Sequence, residues 1–209
     1  MLLPNTLGST KRRDKFREFV NFANTFARYP RRVGALAPSS KVLAKAMISG
    51  LEWSKYKAVL EYGSGTGAIT AAILAKLSPK ATFVAIEASK SFEKHFQSKF
   101  PSVKLHIDSV ANVETICRQE NIGKADCIIS SLPWAIFSKE EQTQFLQATA
   151  NVMAKDGVFT TFAYLQSLAT PGERRFLSIL KDTFQEVELM ELVWRNIPPA
   201  VVIRATKLR

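Results

Sequence analysis

No apolar run in the 209 residues reaches the roughly 18 that a membrane-spanning helix needs, so no segment is expected to cross a bilayer. Cysteine is scarce: Cys117 and Cys127 show neither metal-ligand spacing nor the density of a disulfide framework, which points to a reducing, intracellular compartment. His95 and His106 stand far apart with no third ligand near them in sequence, so both read as structural and no metal is expected. Met1-Leu2-Leu3 is broken at once by Pro4, and the basic residues follow it where a secretory leader has them in front. Acidic side chains are also in short supply, 18 against 29 basic ones for a net charge of +11. Internal repeats and low-complexity tracts are lacking. What remains is 46% apolar and 22% charged, the composition of a globular chain long enough for one sizeable core.

The positive charge is uneven. The first 45 residues carry ten basic side chains against Asp14 and Glu18, a net of +8. Such a concentration suits an anionic partner, a membrane surface or a nucleic acid. Between Lys11 and Tyr29 the apolar residues Phe16, Phe19, Val20, Phe22, Ala23, Phe26 and Ala27 share one face at about 100° per residue. Arg13, Arg17, Asn21, Asn24 and Arg28 occupy the other. This is a basic amphipathic helix, suited either to a membrane interface through its Phe/Arg pattern or to packing on the rest of the chain. A proline-bounded loop follows from Tyr29 to Ser40, with Ser40 as helix cap, and then a short helix from Lys41 to Ile48 closed by Gly50. Residues 1–45 are therefore set apart as a helix-and-lid segment ahead of a domain at 46–209.

That domain is organised by Ala58-Val59-Leu60-Glu61-Tyr62-Gly63-Ser64-Gly65-Thr66-Gly67, an apolar strand running into a glycine-spaced turn, with a helix over Ala68–Leu77. Strand, glycine turn and helix form the opening unit of a nucleotide-binding α/β sheet. The spacing also satisfies the dinucleotide pattern through Gly63, Gly65 and Ala68. Glu61, two residues before the first glycine, favours a different ligand. A carboxylate there repels a pyrophosphate but suits the ammonium of an amino-acid-bearing cofactor, S-adenosylmethionine, or else it simply favours the helix start. Glu87 ends the second strand, Ala81–Ile86, and lies 20 residues beyond Gly67, where an acidic residue meets ribose hydroxyls. After a helix over Lys90–Phe100 and a third strand over Val103–Ile107, Asp108 and Ser109 stand where an adenine amino group or a plain turn would use them. The remaining elements alternate: a helix over Val110–Glu120, a strand over Asp126–Ser130, a helix over Lys139–Met153, a strand over Val158–Tyr164, a helix over Glu173–Phe184, and strands over Val187–Trp194 and Val201–Thr206.

Ser131-Leu132-Pro133-Trp134 closes the fourth strand. The Ser131 hydroxyl and the Leu132 carbonyl are suited to accept hydrogen bonds from an amine, and Trp134 to present a π-face to the cation that forms on methylation. The alternative is a strand-ending Pro133 with a buried Trp134. Tyr164 is the nearest candidate for a general base, and Arg195 with Asn196 for a substrate phosphate.

Val33 to Ser40, Leu60 to Gly67, Ser130 to Trp134, Phe162-Ala163-Tyr164 and Arg195-Asn196-Ile197-Pro198-Pro199-Ala200 together resemble the bacterial phospholipid N-methyltransferases over about residues 29–207. The resemblance implies a class I S-adenosylmethionine-dependent methyltransferase of Rossmann-like fold. Its sheet has seven mostly parallel strands with the last antiparallel, and the N-terminal amphipathic helix is added to it. It implies stepwise methylation of phosphatidylethanolamine toward phosphatidylcholine by an enzyme peripherally bound to the cytoplasmic face of the membrane. Glu61, Gly63, Ser64, Gly65, Thr66, Gly67, Glu87, Asp108 and Ser109 then surround the cofactor. Arg13, Phe16, Arg17, Phe19, Phe22 and Phe26 then meet the anionic membrane. Two departures stand out: Ser131 replaces the family's usual Gly and adds a hydroxyl, and Ile107-Asp108-Ser109 replaces Gly-Asp-Ala. Related ribosomal RNA adenine dimethyltransferases carry Asn-Leu-Pro-Tyr in place of Ser131–Trp134, which makes RNA the alternative substrate.

Overall fold

The computed structural model describes residues 36–209. The basic amphipathic helix expected over Lys11–Tyr29, with Arg13, Phe16, Arg17, Phe19, Phe22 and Phe26, lies outside the described residues. The described chain runs α1 (Leu36–Ile48), β1 (Ala58–Tyr62), α2 (Ala68–Leu74), β2 (Thr82–Glu87), α3 (Glu93–Lys99), β3 (Lys104–Ile107) and α4 (Val113–Gln119). It continues through β4 (Ala125–Ser130), α5 (Lys139–Val152), β5 (Met153–Tyr164), α6 (Pro171–Thr183), β6 (Phe184–Val193) and β7 (Ala200–Leu208).

The strands form one seven-stranded sheet in the order β3-β2-β1-β4-β5-β7-β6, with β1 to β5 paired in parallel. β7 is antiparallel to both β5 and β6, as the sequence predicts for the last strand. Both faces of the sheet are covered. Leu60, Val84, Ile86, Ile128 and Phe159 enter one core, while Val59, Phe83, Ala85, Cys127 and Ile129 enter the other. Strands buried on two sides need apolar residues at every position, which is why β1, β2 and β4 read as continuous runs and not as alternations. All five parallel strands end at one edge, which gathers Tyr62, Glu87, Ile107, Ser130 and Tyr164. The register Tyr164↔Ala200 and Val193↔Ala200 brings the β6–β7 connection to that same edge.

Several boundaries differ from the sequence reading, and three of them have a clear physical reason. α1 starts at Leu36, well before the expected Lys41, so Pro38 and Ser40 are inside a helix. Pro38 falls in the first turn, where the missing N–H has no intrahelical partner to lose. β5 begins at Met153, because Met153 pairs with Ala125 while Val158 pairs with Cys127. The extra residues around Lys155-Asp156-Gly157 are looped out of the ladder as an irregularity inside the strand, not as a turn before it. α6 starts at Pro171, with Thr170 as its cap and proline at the first helical position.

Candidate functional site

β1 carries its glycine loop across the edge of the sheet, and the three glycines have different tasks. Gly63, Gly65 and Gly67 all have positive φ, at 73°, 49° and 77°. A Cβ on Gly67 would lie 2.1 Å from Phe100 Cε2, so this residue is needed for packing. A Cβ on Gly65 would meet nothing within 4 Å, so this residue borders open space, where a ligand could lie against the backbone. The two are expected to fail differently. Gly67→Ala loses about 2–4 kcal/mol of stability from left-handed strain plus overpacking, read as a lower denaturation midpoint. Gly65→Ala loses about half of that or less and shows its defect in cofactor affinity, read by titration calorimetry.

Glu61 stands at the end of β1 and is completely buried. Thr70 Oγ1, from α2, donates to Glu61 Oε2 at 2.6 Å, while Oε1 is sealed from solvent and has no partner among the described residues. Burial pushes the carboxyl up to about 7, with the Thr70 hydrogen bonds opposing and the Glu87 charge adding to the rise. An unpaired carboxylate oxygen is costly to bury, and a cationic donor is what it lacks. The ammonium of S-adenosylmethionine is such a donor, so the residues present fit that cofactor. Ser64 Oγ is a second buried oxygen in the loop without a partner among the described residues.

Glu87, on the neighbouring strand, faces the same loop. Gly65 N donates to Glu87 Oε2 at 2.9 Å and Ser89 N to Oε1 at 2.8 Å. Burial raises its pKa, and these backbone donors oppose the rise. Each oxygen keeps acceptor capacity beyond these bonds, which a ribose hydroxyl could use. Asp108 Oδ1 accepts from Ser109 N at 2.7 Å and from Asn112 Nδ2 at 2.8 Å, and Ser109 Oγ caps the turn by accepting from Ala111 N at 3.2 Å. Thr66 is exposed, and its carbonyl accepts from Lys99 Nζ at 3.3 Å.

The segment after β4 lies beside this loop. Ser131 N donates to Tyr62 O at 2.8 Å, extending the β1–β4 pairing by one residue. Ser131, Leu132 and Pro133 are half-buried at the edge. The Leu132 carbonyl accepts from Trp134 N at 3.0 Å and keeps one lone pair.

Three expectations need correction. Trp134 does not offer a face to a cation: it is 2% exposed, and its ring is stacked on Phe176 with centroids 4.5 Å apart and planes 15° from parallel. Its Nε1 donates to Ser130 Oγ at 3.2 Å, and Phe137, Phe145 and Phe159 meet it edge to face. The ring has the shape and polarity of a core anchor, so the apolar cluster takes it. Tyr164, at the end of β5, is no general base, because burial lifts its phenol and keeps it protonated at neutral pH. Asn196 is buried and its Nδ2 donates to Pro198 O at 2.6 Å, so its amide shapes its own loop; Arg195 beside it is exposed.

Four residues essential to this arrangement carry no signal in the sequence. Thr70 is one polar residue in an Ala/Ile helix. Ser130 looks like the last residue of a strand. Gln142 sits within a polar helix, yet its Nε2 bridges Trp134 O at 2.6 Å and Gly172 O at 3.0 Å. Glu173 marks a helix start in the sequence and is buried in the structure.

The chain matches the methyltransferase domain family over residues 59–157, from the first strand into the fifth. It is 27% identical over 188 residues to the ornithine lipid N-methyltransferase of Singulisphaera acidiphila, spanning 88% of this chain and 93% of that one. Among solved structures, TrmN from Thermus thermophilus superposes with a TM-score of 0.60 at 15% identity, over 80% of this chain and 49% of that one. Aeropyrum pernix fibrillarin, solved with natively bound S-adenosyl-L-methionine, gives 0.59 at 13% identity over 80% and 76%. At those identities the two structures speak for the fold.

Proposed function

We propose that this S-adenosylmethionine-dependent methyltransferase acts on the primary amine of a membrane lipid headgroup. The observation that carries the reading is the similarity to a lipid N-methyltransferase along nearly the whole of both chains. The surface around the acceptor half of the edge agrees with it. Ile136 after β4, Leu165 after β5, and Trp194 and Ile197 between β6 and β7 are all exposed, Trp194 at 67%. Leu165 N donates to Pro199 O at 2.9 Å, so the last two connections are joined. Large apolar side chains at the mouth of a polar site suit a substrate whose reacting amine is tethered to hydrocarbon. Among the described residues no helix is long and apolar enough to cross a membrane. Membrane attachment is assigned to the basic Phe/Arg segment before Leu36, acting at the cytoplasmic face.

When bound, the cofactor supplies a methyl group on a positively charged sulfur. The chain's own contribution is alignment: Glu61 holds the ammonium end, Gly65 admits the ligand to the backbone, and Glu87 receives the ribose. Ser131 and the free lone pair of the Leu132 carbonyl hold the acceptor nitrogen on the next strand over. Phosphatidylethanolamine is the headgroup implied by the resemblance; ornithine lipid is the one named by the relative. The full chain is to be incubated with methyl-labelled cofactor and vesicles of each lipid, or with bulk RNA. Label in the lipid amine is expected. Label in RNA with none in either lipid would overturn the reading.

A further inference from the structure

α5 and α6 open with the same pattern, Ser/Thr-x-x-Glu, and use it differently. At α5 the pattern closes on itself: Ser138 Oγ accepts from Glu141 N at 3.2 Å and Glu141 Oε2 accepts from Ser138 N at 2.9 Å. At α6 only one half forms. Thr170 Oγ1 accepts from Glu173 N at 3.3 Å, but Thr170 N already donates to Ser167 O at 2.8 Å, which leaves the Glu173 carboxylate without its usual role. It turns inward instead. Glu173 is 2% exposed, its Oε1 is sealed from solvent, and Oε1 has no partner among the described residues.

No described cation compensates it. The turn after β4, Trp134–Phe137, and the turn after β5, Leu165–Ala169, carry no charge. α5 faces α6 with neutral Gln142, and β6 carries only carboxylates, Glu186, Glu188 and Glu191, all exposed. On α6 itself Arg174 is exposed, and Arg175 is committed to Gln142 Oε1 at 2.9 Å and Phe137 O at 2.8 Å. Ser167 Oγ stands 3.4 Å from Glu173 Oε2 and 2.8 Å from Tyr164 O, and its single hydrogen serves one of them at a time.

The position is as informative as the missing partner. Ser167 belongs to the turn that leaves β5, and its bond to Tyr164 O ties the carboxylate to the end of that strand. Gly172, the preceding residue, presses on the turn that leaves β4 so closely that a Cβ would lie 1.9 Å from Ala135 O. Glu173 is thus placed at the ends of β4 and β5, on the acceptor side of the edge. Glu61 and Glu173 are the only carboxylates among the described residues with a sealed, unpartnered oxygen. One stands on each half of the edge.

We propose that Glu173 is the base that takes the proton from the substrate ammonium. The inference rests on the lipid-amine reading above. The proton passes from the ammonium nitrogen to Glu173 Oε1, leaving a neutral amine with its lone pair free. That pair would be the nucleophile toward the methyl carbon a bound cofactor supplies, the departing sulfur keeping the electrons of the broken carbon–sulfur bond. The methylated nitrogen carries the positive charge, and the proton on Glu173 returns to solvent after product leaves. Burial pushes the Glu173 carboxyl up to about 7, against the opposing bond from Ser167, so the group both accepts and releases a proton near neutrality.

The test is kcat/KM against pH for the full chain on lipid vesicles, with Glu173→Gln and Glu173→Asp beside the wild type. The wild-type profile is expected to rise through about pH 7. Glu173→Gln is expected to fall at least about 100-fold at neutral pH and to recover as the free amine fraction grows toward high pH, with cofactor affinity unchanged. Glu173→Asp keeps the inflection at a lower kcat. A Gln variant lowered by the same factor at every pH, or left with the wild-type profile, overturns the proposal. If the Gln variant does not fold, loss of the inflection in Glu173→Asp overturns it instead. A wild type that methylates lipid but fails these arms sinks Glu173 alone, whereas one that methylates no lipid amine at any pH sinks both readings.

Discussion

Glu61→Gln is expected to melt at a higher temperature than the wild type above about pH 7 while losing its hold on S-adenosylmethionine. The sign follows from the direction of the shift. The carboxyl is lifted from an ordinary 4.5 to about 7 in the folded chain, so between those values the folded state binds more protons than the unfolded one. Stability of the free protein is therefore full below 4.5, falls as pH rises, and levels off above about 7. The lost amount is roughly 3 kcal/mol, at about 1.4 kcal/mol per pKa unit. Glutamine carries no charge to bury and removes this share of the fall, while Glu173 continues to contribute its own. In a chain of this size that is a gain of about 5–10 °C near neutral pH. The same change removes a charge-assisted hydrogen bond to the cofactor ammonium, which is about 1.5–3 kcal/mol, or ten- to more than a hundredfold in affinity. Scanning calorimetry across pH, with and without cofactor, checks both halves. A variant that melts lower than wild type at every pH would show that the carboxylate is satisfied by something else in the free protein.

Trp134→Ala is expected to cost about 3–5 kcal/mol and lower the melting temperature by roughly 10 °C or more. The indole fills the centre of an aromatic cluster, and its removal leaves Phe176 without its stacked neighbour and Ser130 Oγ without the indole donor. Because Ser130 also accepts from Leu132 N at 3.3 Å, the loss reaches the backbone that presents Ser131 and Leu132. Trp134→Met, apolar and without a π-face though smaller than the indole, separates packing from chemistry. It is expected to recover part of the stability lost in the Ala variant and to retain turnover in proportion to the folded fraction. A Met variant that is stable, binds cofactor and does not turn over would restore the cation-facing role for the ring.

The contrast between Glu61 and Trp134 shows how far the sequence was legible. Glu61 was found because its position two residues before a glycine turn has a chemical meaning that local spacing conveys. The architecture followed for the same reason: short, nearly continuous apolar runs in β1, β2 and β4, each followed by a helical stretch, suit a parallel sheet covered on both faces. Trp134 also lies in a telling tetrapeptide, but which way a ring faces is decided by Phe176 on a distant helix, and no window of neighbouring residues contains that. Glu173 was invisible for a related reason. Ser/Thr-x-x-Glu signals a solvent-facing cap, and the contact that diverts Thr170 N to Ser167 forms only when the β5 turn folds back. Boundaries failed where two elements adjoin without a spacer, as at Val152–Met153, since there the change of period leaves no turn residue to mark it.

Gly63 touches the far half of the edge. A Cβ there would stand 3.2 Å from Leu132 Cδ2, so the loop after β1 and the loop after β4 are already in van der Waals contact with no slack between them. The seam leaves room for a hydrogen and little more: a methyl group on Gly63 would have to push the tip of the Leu132 side chain aside by a few tenths of an ångström, toward the half of the edge that carries Ser131.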